Sequence, residues 1–121
     1  MARSLLALVL AISVGACQAS GQPIHDPSGI LVQPSGVVGC TAEVTTGQLI
    51  ADADAGIAIE DGQHLPIVWP ASFRARTVNG TVEVLDTAGT VVAQTGTNVR
   101  ITGGQIDGRW LACGDGSPRP S

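Results

Sequence analysis

The chain of 121 residues is poor in aromatic and basic side chains. It has no tyrosine and no lysine, and its only aromatic residues are Trp69, Phe73 and Trp110. A hydrophobic core must therefore come mainly from valine, isoleucine, leucine and alanine. Ten acidic residues against six arginines give a net charge of −4. Because a nucleic-acid-binding domain usually carries a basic patch, this composition argues against nucleic acid as a partner.

No hydrophobic run of the chain is long enough to span a membrane. Leu5 to Val14 is apolar apart from Ser13, but a transmembrane helix needs about 20 such residues. Arg3 and the N-terminal amino group place positive charge in front of the run. A short apolar run behind a positive start is typical of a secretory signal peptide, so the sequence predicts export.

The four residues that follow the apolar run, Val14-Gly15-Ala16-Cys17, resemble the lipobox of bacterial lipoproteins. In that family the cysteine receives the lipid and becomes the new N-terminus. The resemblance implies lipidation at Cys17 and anchoring to the cell membrane on its extracytoplasmic side. The alternative is ordinary signal-peptide cleavage within residues 16–20, which would discard Cys17 and release a secreted protein.

The chain has three cysteines, which leaves one over if two of them pair. Lipidation or removal of Cys17 leaves Cys40 and Cys113, and an oxidising compartment permits a disulfide between them. The alternative is a pair of reduced, buried thiols. A metal site is disfavoured because neither cysteine belongs to a close Cys or His pair.

The rest of the chain indicates one small β domain. Its apolar runs are short and separated by Gly, Asn-Gly and Asp-Gly turns, with no sustained helical period. This pattern predicts an all-β fold, a small antiparallel barrel or sandwich of about six or seven short strands, for which an OB-like barrel is one form. The predicted segments are a signal peptide (1–16), a lipidated N-terminus and flexible tether (17–28), the all-β domain (29–113) and a disordered tail (114–121).

The clearest turn signal is Asn79-Gly80, because both residues accept the positive φ of a two-residue hairpin. Such a loop sets Val78 opposite Thr81 and places Arg76 opposite Glu83 as a cross-strand ion pair. The hairpin then has one apolar face and one charged face.

A second hairpin is predicted around Asp61-Gly62-Gln63. A three-residue loop aligns the apolar residues on one face, whereas a two-residue loop sets Ile59 against His64. The three-residue register makes Trp69 a core anchor. It predicts the pairs Ile59–Leu65, Ile57–Ile67 and Ala55–Trp69.

Three further strands are predicted at 37–44, 90–94 and 99–102. Gly103-Gly104 is expected to end regular structure. Ile106 and Trp110 are then expected to return the chain across the barrel and bring Cys113 near Cys40.

The segments "LPIVWPASF" and "VEVLDTAGTVVAQTGTNVRITGG", between Leu65 and Gly104, resemble a group of small exported proteins and lipoproteins of actinobacteria. The shared features are a V-W-P-x-x-F segment and the turns that follow it. The resemblance covers a third of the chain. It implies β-hairpins and an exported location, and it supplies no catalytic residues.

An acidic stretch is a weak candidate for binding a divalent cation. Counted from Asp52, an EF-hand loop would need glycine at Ile57 and glutamate at Gln63. Both requirements fail, so no metal is expected by default. The candidate ligands for a looser site are Asp52, Asp54, Glu60 and Asp61.

His64 is the best candidate for acid–base chemistry, since acidic residues lie beside it. A small hydrolase would need a cleft that joins His64 to Asp61 or Asp52, together with a nucleophile. The sequence has no G-x-S-x-G element. We therefore expect an exposed strand histidine and no enzymatic activity.

Three arginines, Arg74, Arg76 and Arg100, alternate with apolar residues and are expected on the solvent faces of adjacent strands. Together they would form a weak candidate site for an anionic sugar or phosphate. No cofactor is expected. The sequence as a whole favours a lipid-anchored, non-enzymatic binding module that meets a protein or glycan of the cell envelope. A divalent-cation binder and a small secreted hydrolase are the alternatives.

Overall fold

The computed structural model describes residues 22–34, 43–113 and 118–120, and these ranges contain eleven strands. They contain no helix, and so none that is long and apolar enough to cross a membrane. In chain order the strands are β1 (Ile24–His25), β2 (Leu31–Val32), β3 (Glu43–Asp52), β4 (Gly56–Glu60), β5 (His64–Trp69), β6 (Arg74–Val78), β7 (Thr81–Leu85), β8 (Val91–Gln94), β9 (Asn98–Ile106), β10 (Arg109–Ala112) and β11 (Arg119–Pro120). The all-β prediction is confirmed.

Five strands close into a barrel in the order β3-β4-β5-β10-β9 and back to β3. Four of the pairings are antiparallel, while β5 and β10 run parallel, with Trp110 opposite Ile67. Three strands pair antiparallel in chain order (β3, β4 and β5), the third then pairs parallel with β10, and β9 closes the barrel between β10 and β3. This is the arrangement of an OB-type barrel. The parallel pair is a departure from the antiparallel barrel expected from the sequence.

Alternate residues of the barrel strands point inward and fill its interior. Trp69 is fully buried, as predicted, and its ring stacks on that of Phe73 with 6.5 Å between centroids. Aliphatic side chains surround this pair, as the scarcity of aromatic residues requires. The largest fully buried ones are Ile30, Leu49, Ile57, Ile59, Ile67 and Ile101.

The connection from β5 to β9 forms a separate sheet of three antiparallel strands, β6-β7-β8. Its first hairpin has the predicted register, with Val78 opposite Thr81 and Arg76 opposite Glu83. Asn79 and Gly80 have φ values of +50° and +78°, which is the backbone that a two-residue turn of this type requires. Val84 and Ala93 on one face of the small sheet pack into the barrel core.

The second predicted hairpin is confirmed at its turn and changes further along. Ile59 lies opposite Leu65, but the β4–β5 ladder ends at the pair Ala58–Pro66. Beyond it β2 lies against β5, where Val32 pairs with Trp69. Two residues explain the split. Pro66 has no N–H to donate to a ladder. Gly56 has no side chain, which lets Gly29, just before β2, approach the start of β4; a Cβ at Gly56 would lie 2.5 Å from the Gly29 carbonyl oxygen.

Short strands lie beyond both predicted ends of the domain. Ile24 and His25, assigned to the flexible tether, form β1 and pair with β2. Arg119 and Pro120, assigned to the disordered tail, form β11 and pair with β9. Neither segment has an apolar period of its own that would predict a strand. Each two-residue strand instead adds to the edge of a sheet that other residues form.

Gly103 and Gly104 do not end regular structure; they lie inside β9. Gly103 is needed because a Cβ there would lie 1.9 Å from the carbonyl oxygen of Leu111 on β10. Of the strand predicted at 37–44, residues 37–42 lie outside the described ranges, and the remaining two begin the much longer β3. The strands predicted at 90–94 and 99–102 correspond to β8 and part of β9.

Cys113 is buried and disulfide-bonded. Cys17 and Cys40, together with the signal peptide and the lipobox, lie outside the described residues. The pairing of Cys113 with Cys40 therefore stays a prediction.

Candidate functional site

Among the described residues, two of the ion pairs meet at His64, the first residue of β5. Its Nε2 lies 2.6 Å from Oδ1 of Asp52, and its Nδ1 lies 2.7 Å from Oε1 of Glu60. Asp52 ends β3 and Glu60 ends β4, so one imidazole joins the ends of three consecutive barrel strands. We call these three residues the His64 cluster.

The turn between β3 and β4 holds Asp52 in place. Its second carboxylate oxygen, Oδ2, accepts hydrogen bonds from the backbone N–H groups of Ala55, at 2.7 Å, and Asp54, at 3.1 Å. Asp52 therefore fixes the turn with one oxygen and His64 with the other. Ala58, which shares a face with Glu60 in β4, is fully buried.

The contacts of the cluster shift two pKa values in opposite directions. Hydrogen bonds to Asp52 and Glu60 raise the pKa of His64 above its ordinary value. The backbone N–H of Ala55 and then the His64 ring lower the pKa of Asp52. Both shifts favour the charged form of the group concerned.

Both ring nitrogens of His64 lie within hydrogen-bond distance of a carboxylate oxygen, whereas a general base needs a ring nitrogen that can accept a proton from the substrate. Among the contacts of the described residues, no serine, threonine or cysteine side chain is hydrogen-bonded to the ring. The cluster is therefore suited to tying strands together.

The four acidic candidates for a cation site are divided among different contacts. Asp52 and Glu60 meet at His64, whereas Asp61 accepts a hydrogen bond from the hydroxyl of Thr45. The backbone carbonyl of Asp54 lies 3.1 Å from Nε2 of His25. Within the described ranges, no group of three or more His, Cys, Asp or Glu side chains is arranged to hold a metal ion.

The three candidate arginines lie in two different sheets. Arg74 and Arg76 lie on β6 of the small sheet, while Arg100 lies on β9 of the barrel. The prediction of adjacent strands is wrong because β6 pairs with β7 alone. Nε of Arg76 donates to Oε1 of Glu83 at 2.8 Å, the predicted ion pair.

A groove that sequence reasoning missed lies between the small sheet and the barrel. Its volume is about 320 Å³, and its walls come from β8 on one side and from β9 and β11 on the other. It is lined by Val91, Val92, Ala93, Gln94, Thr97, Asn98, Val99, Arg119 and Pro120. One wall belongs to a segment expected to be disordered, so no local pattern could have indicated it.

Aromatic binding surfaces are lacking as well. Trp69, Phe73 and Trp110 are the only aromatic residues of the chain, and each is at most 7% exposed. OB-type barrels that bind single-stranded nucleic acid stack bases on exposed aromatic rings. This barrel has no ring for that purpose.

Compared with protein-family models, with curated proteins and with solved structures, the chain matches none.

Proposed function

We propose that the chain is an exported lipoprotein that is anchored to the membrane through Cys17 and presents its barrel as a non-enzymatic interaction module of the cell envelope. The anchoring rests on the sequence Val14-Gly15-Ala16-Cys17 directly after a signal-type apolar run. The resemblance of Leu65 to Gly104 to small exported actinobacterial proteins agrees with this location.

The observation that carries the non-enzymatic role is the state of His64. It is the best candidate for acid–base catalysis that the sequence offers, and both of its ring nitrogens contact carboxylates. The burial of every aromatic ring and the net charge of −4 argue against nucleic acid as the partner. A rigid barrel that binds an envelope protein or glycan fits these features best.

The start of β1 at Ile24 bears on how the module would be presented. Five residues separate Cys17 from Pro23, and each extended residue spans at most about 3.6 Å. A lipid at Cys17 would hold the barrel within roughly 20 Å of the membrane surface. Partners within that layer would be favoured, because tethering raises the effective concentration of the module.

The test is the intact mass of the chain purified from a bacterial membrane fraction. We expect a mass that corresponds to diacylglycerol or triacyl modification of a chain beginning at Cys17. Cys17→Ser should abolish the modification, while the matched change Ser20→Ala should leave it in place. An unmodified chain that begins after Ala19 or Ser20 would contradict the anchoring and support plain secretion.

A further inference from the structure

Two tight turns of the molecule have the same backbone and different side chains. Asn79-Gly80 joins β6 to β7 with φ values of +50° and +78°, and Asp107-Gly108 joins β9 to β10 with φ values of +51° and +73°. In each turn a side chain with a carbonyl carbon precedes a glycine nitrogen. Of the two, the Asn79 turn combines that arrangement with a neutral amide.

The tip of the Asn79 turn is open to solvent. Residues 76–80 are exposed, and a Cβ at Gly80 would meet nothing within 4 Å. Val78 and Thr81 form the last pair of the β6–β7 ladder, so the N–H of Gly80 lies outside it. Within the described ranges, neither this N–H nor the Asn79 side chain has a hydrogen-bond partner. No such contact holds the Gly80 nitrogen away from the side-chain carbonyl carbon of Asn79.

The turn between β4 and β5 contains a related residue, Asp61, in front of Gly62, but this side chain is restrained on both oxygens. Its Oδ1 accepts a hydrogen bond from the N–H of Gln63 at 3.2 Å, and its Oδ2 accepts one from the hydroxyl of Thr45. Any reaction of this side chain with the next backbone nitrogen must first break those contacts. The Asn79 side chain has no such contact to break.

The chemistry open to Asn79 is ring closure onto its own backbone. The Gly80 nitrogen loses its proton and attacks Cγ of Asn79; a C–N bond forms, the bond from Cγ to Nδ2 breaks, and ammonia leaves with that proton. Water then adds across one of the two C–N bonds of the cyclic imide and gives aspartate or isoaspartate. Gly80 favours the attack because it has no Cβ to obstruct the approach, whereas a carboxylate such as that of Asp107 resists a nucleophile.

We propose that Asn79 is a site of spontaneous covalent modification in the folded protein, where it is converted to aspartate and isoaspartate with solvent water as the co-reactant. Aspartate keeps the turn, because it is accepted at this position of a two-residue loop. Isoaspartate routes the main chain through Cβ and Cγ of residue 79, which lengthens the loop by one atom. The pairing of Val78 with Thr81 is then lost, and the small sheet opens at this end while the separate barrel sheet is unchanged.

The test is ageing of the exported chain at mildly alkaline pH, both folded and in guanidinium chloride. Trypsin and a glutamate-specific protease place Asn79 and Asn98, the two asparagines of the chain, in separate fragments, 77–83 and 84–100. Mass spectrometry should show replacement of the amide by an acid in 77–83, at a rate that rises with pH. The folded rate should lie within about 5-fold of the rate in denaturant, because no side-chain hydrogen bond has to break and one such bond corresponds to that factor. Asn98 should stay intact, because the branched Val99 hinders the attack.

Two variants put the same dipeptide in the other turns. Asp107→Asn has the matched backbone, and we expect that site to react within about 5-fold of the rate at Asn79. Asp61→Asn retains an acceptor for the Gln63 N–H and gains an amide that can donate to the Thr45 hydroxyl, so it should react at least about 5-fold more slowly. In guanidinium chloride the three sites should react at similar rates, which assigns the difference to the fold.

The effect on the hairpin is measured by NMR of the ¹⁵N-labelled chain after the two products are separated. Amide signals of β6 and β7 should shift in the isoaspartate form, while those of β3 and β4 stay in place. Asn79→Asp, which is identical to the other product, should change signals at the turn alone. Asn79→Gly fits the turn and has no amide, so its spectrum should not change with time.

Three outcomes would overturn the assignment. In the first, Asn79 stays intact in the folded chain while it reacts in guanidinium chloride, which would mean that the turn protects it. In the second, Asp61→Asn reacts at residue 61 as fast as the chain reacts at Asn79. In the third, the isoaspartate form has the same β6 and β7 signals as the unaged chain. None of these measurements depends on the lipid, so they are independent of the proposed anchoring.

Discussion

The closed barrel and the three-stranded sheet are built on different kinds of contact. The small sheet uses strands that follow each other in the chain, from Arg74 to Gln94. The barrel closes through distant pairs, such as Trp110 with Ile67 and Glu43 with Gly103. Local turns therefore suffice for the small sheet, whereas the barrel depends on a few positions where distant strands approach closely.

The largest expected effect comes from adding a side chain at Gly103, where β9 and β10 lie close together. A Cβ in Gly103→Ala would lie 1.9 Å from the Leu111 carbonyl oxygen and 2.9 Å from Nε1 of Trp110. We expect β9 and β10 to separate and the free energy of unfolding to fall by about 4 kcal/mol. Urea unfolding followed by tryptophan fluorescence measures this change, since both tryptophans lie in the barrel.

The control is the same substitution at a hairpin turn. A Cβ at Gly62 meets nothing within 4 Å, but its φ of +92° disfavours any other residue. Gly62→Ala should therefore cost only about 1–2 kcal/mol. Equal losses of unfolding free energy in the two variants would mean that the contact between distant strands is no more sensitive to an added side chain than a hairpin turn is.

The contrast between local turns and strand pairs that are distant in the chain also determines which features the sequence could predict. Asn79-Gly80 determines a whole hairpin register because its turn geometry admits few residues, and the structure has that register. The glycines at 103 and 104 resemble a turn in the sequence, yet Gly103 is required by a strand contact with Leu111. A strand partner that is distant in the chain leaves no local pattern.

The candidate site follows this rule as well. Glu60 and His64 face each other across a three-residue turn and could be placed together from the sequence. Asp52 pairs with Gly56 at the opposite end of β4 from Glu60, so its contact with His64 does not follow from the strand register. The groove could not be predicted either, because β11 has only two residues and follows no pattern.

A smaller effect is expected from the His64 cluster, which ties three barrel strands through charge. Because the folded pKa of His64 is raised, its contribution to stability is complete below the unfolded value of about 6.5. It is lost as pH rises through the folded pKa. The melting temperature should therefore fall with rising pH above about 6.5, and His64→Gln should remove that slope.

Asp52 accounts for the acid side of the dependence of stability on pH. Its lowered pKa stabilises the fold above the unfolded value of about 3.9, and this contribution is lost as pH falls through the folded pKa. Asp52→Asn should weaken both limbs. His25→Gln should keep the alkaline slope, since the His25 ring contacts a backbone carbonyl. Loss of the slope in that variant would show that His64 is not the residue responsible for it.

The smallest effect is expected in the small sheet, at the pair formed by Arg76 and Glu83. The Arg76 side chain is 54% exposed, and exposed ion pairs contribute about 0.2–1 kcal/mol. A double-mutant cycle with Arg76→Gln and Glu83→Gln, measured by urea unfolding, should give a coupling in that range that declines with added salt.

Arg74 provides the matched control for that cycle. It lies on the same strand, opposite Leu85, so its coupling to Glu83 should be close to zero. A coupling of Arg76 to Glu83 well above 1 kcal/mol would show that charge, and not only the Asn79-Gly80 turn, maintains the register of the hairpin. In that case the small sheet would resemble the barrel in depending on side-chain contacts between its strands.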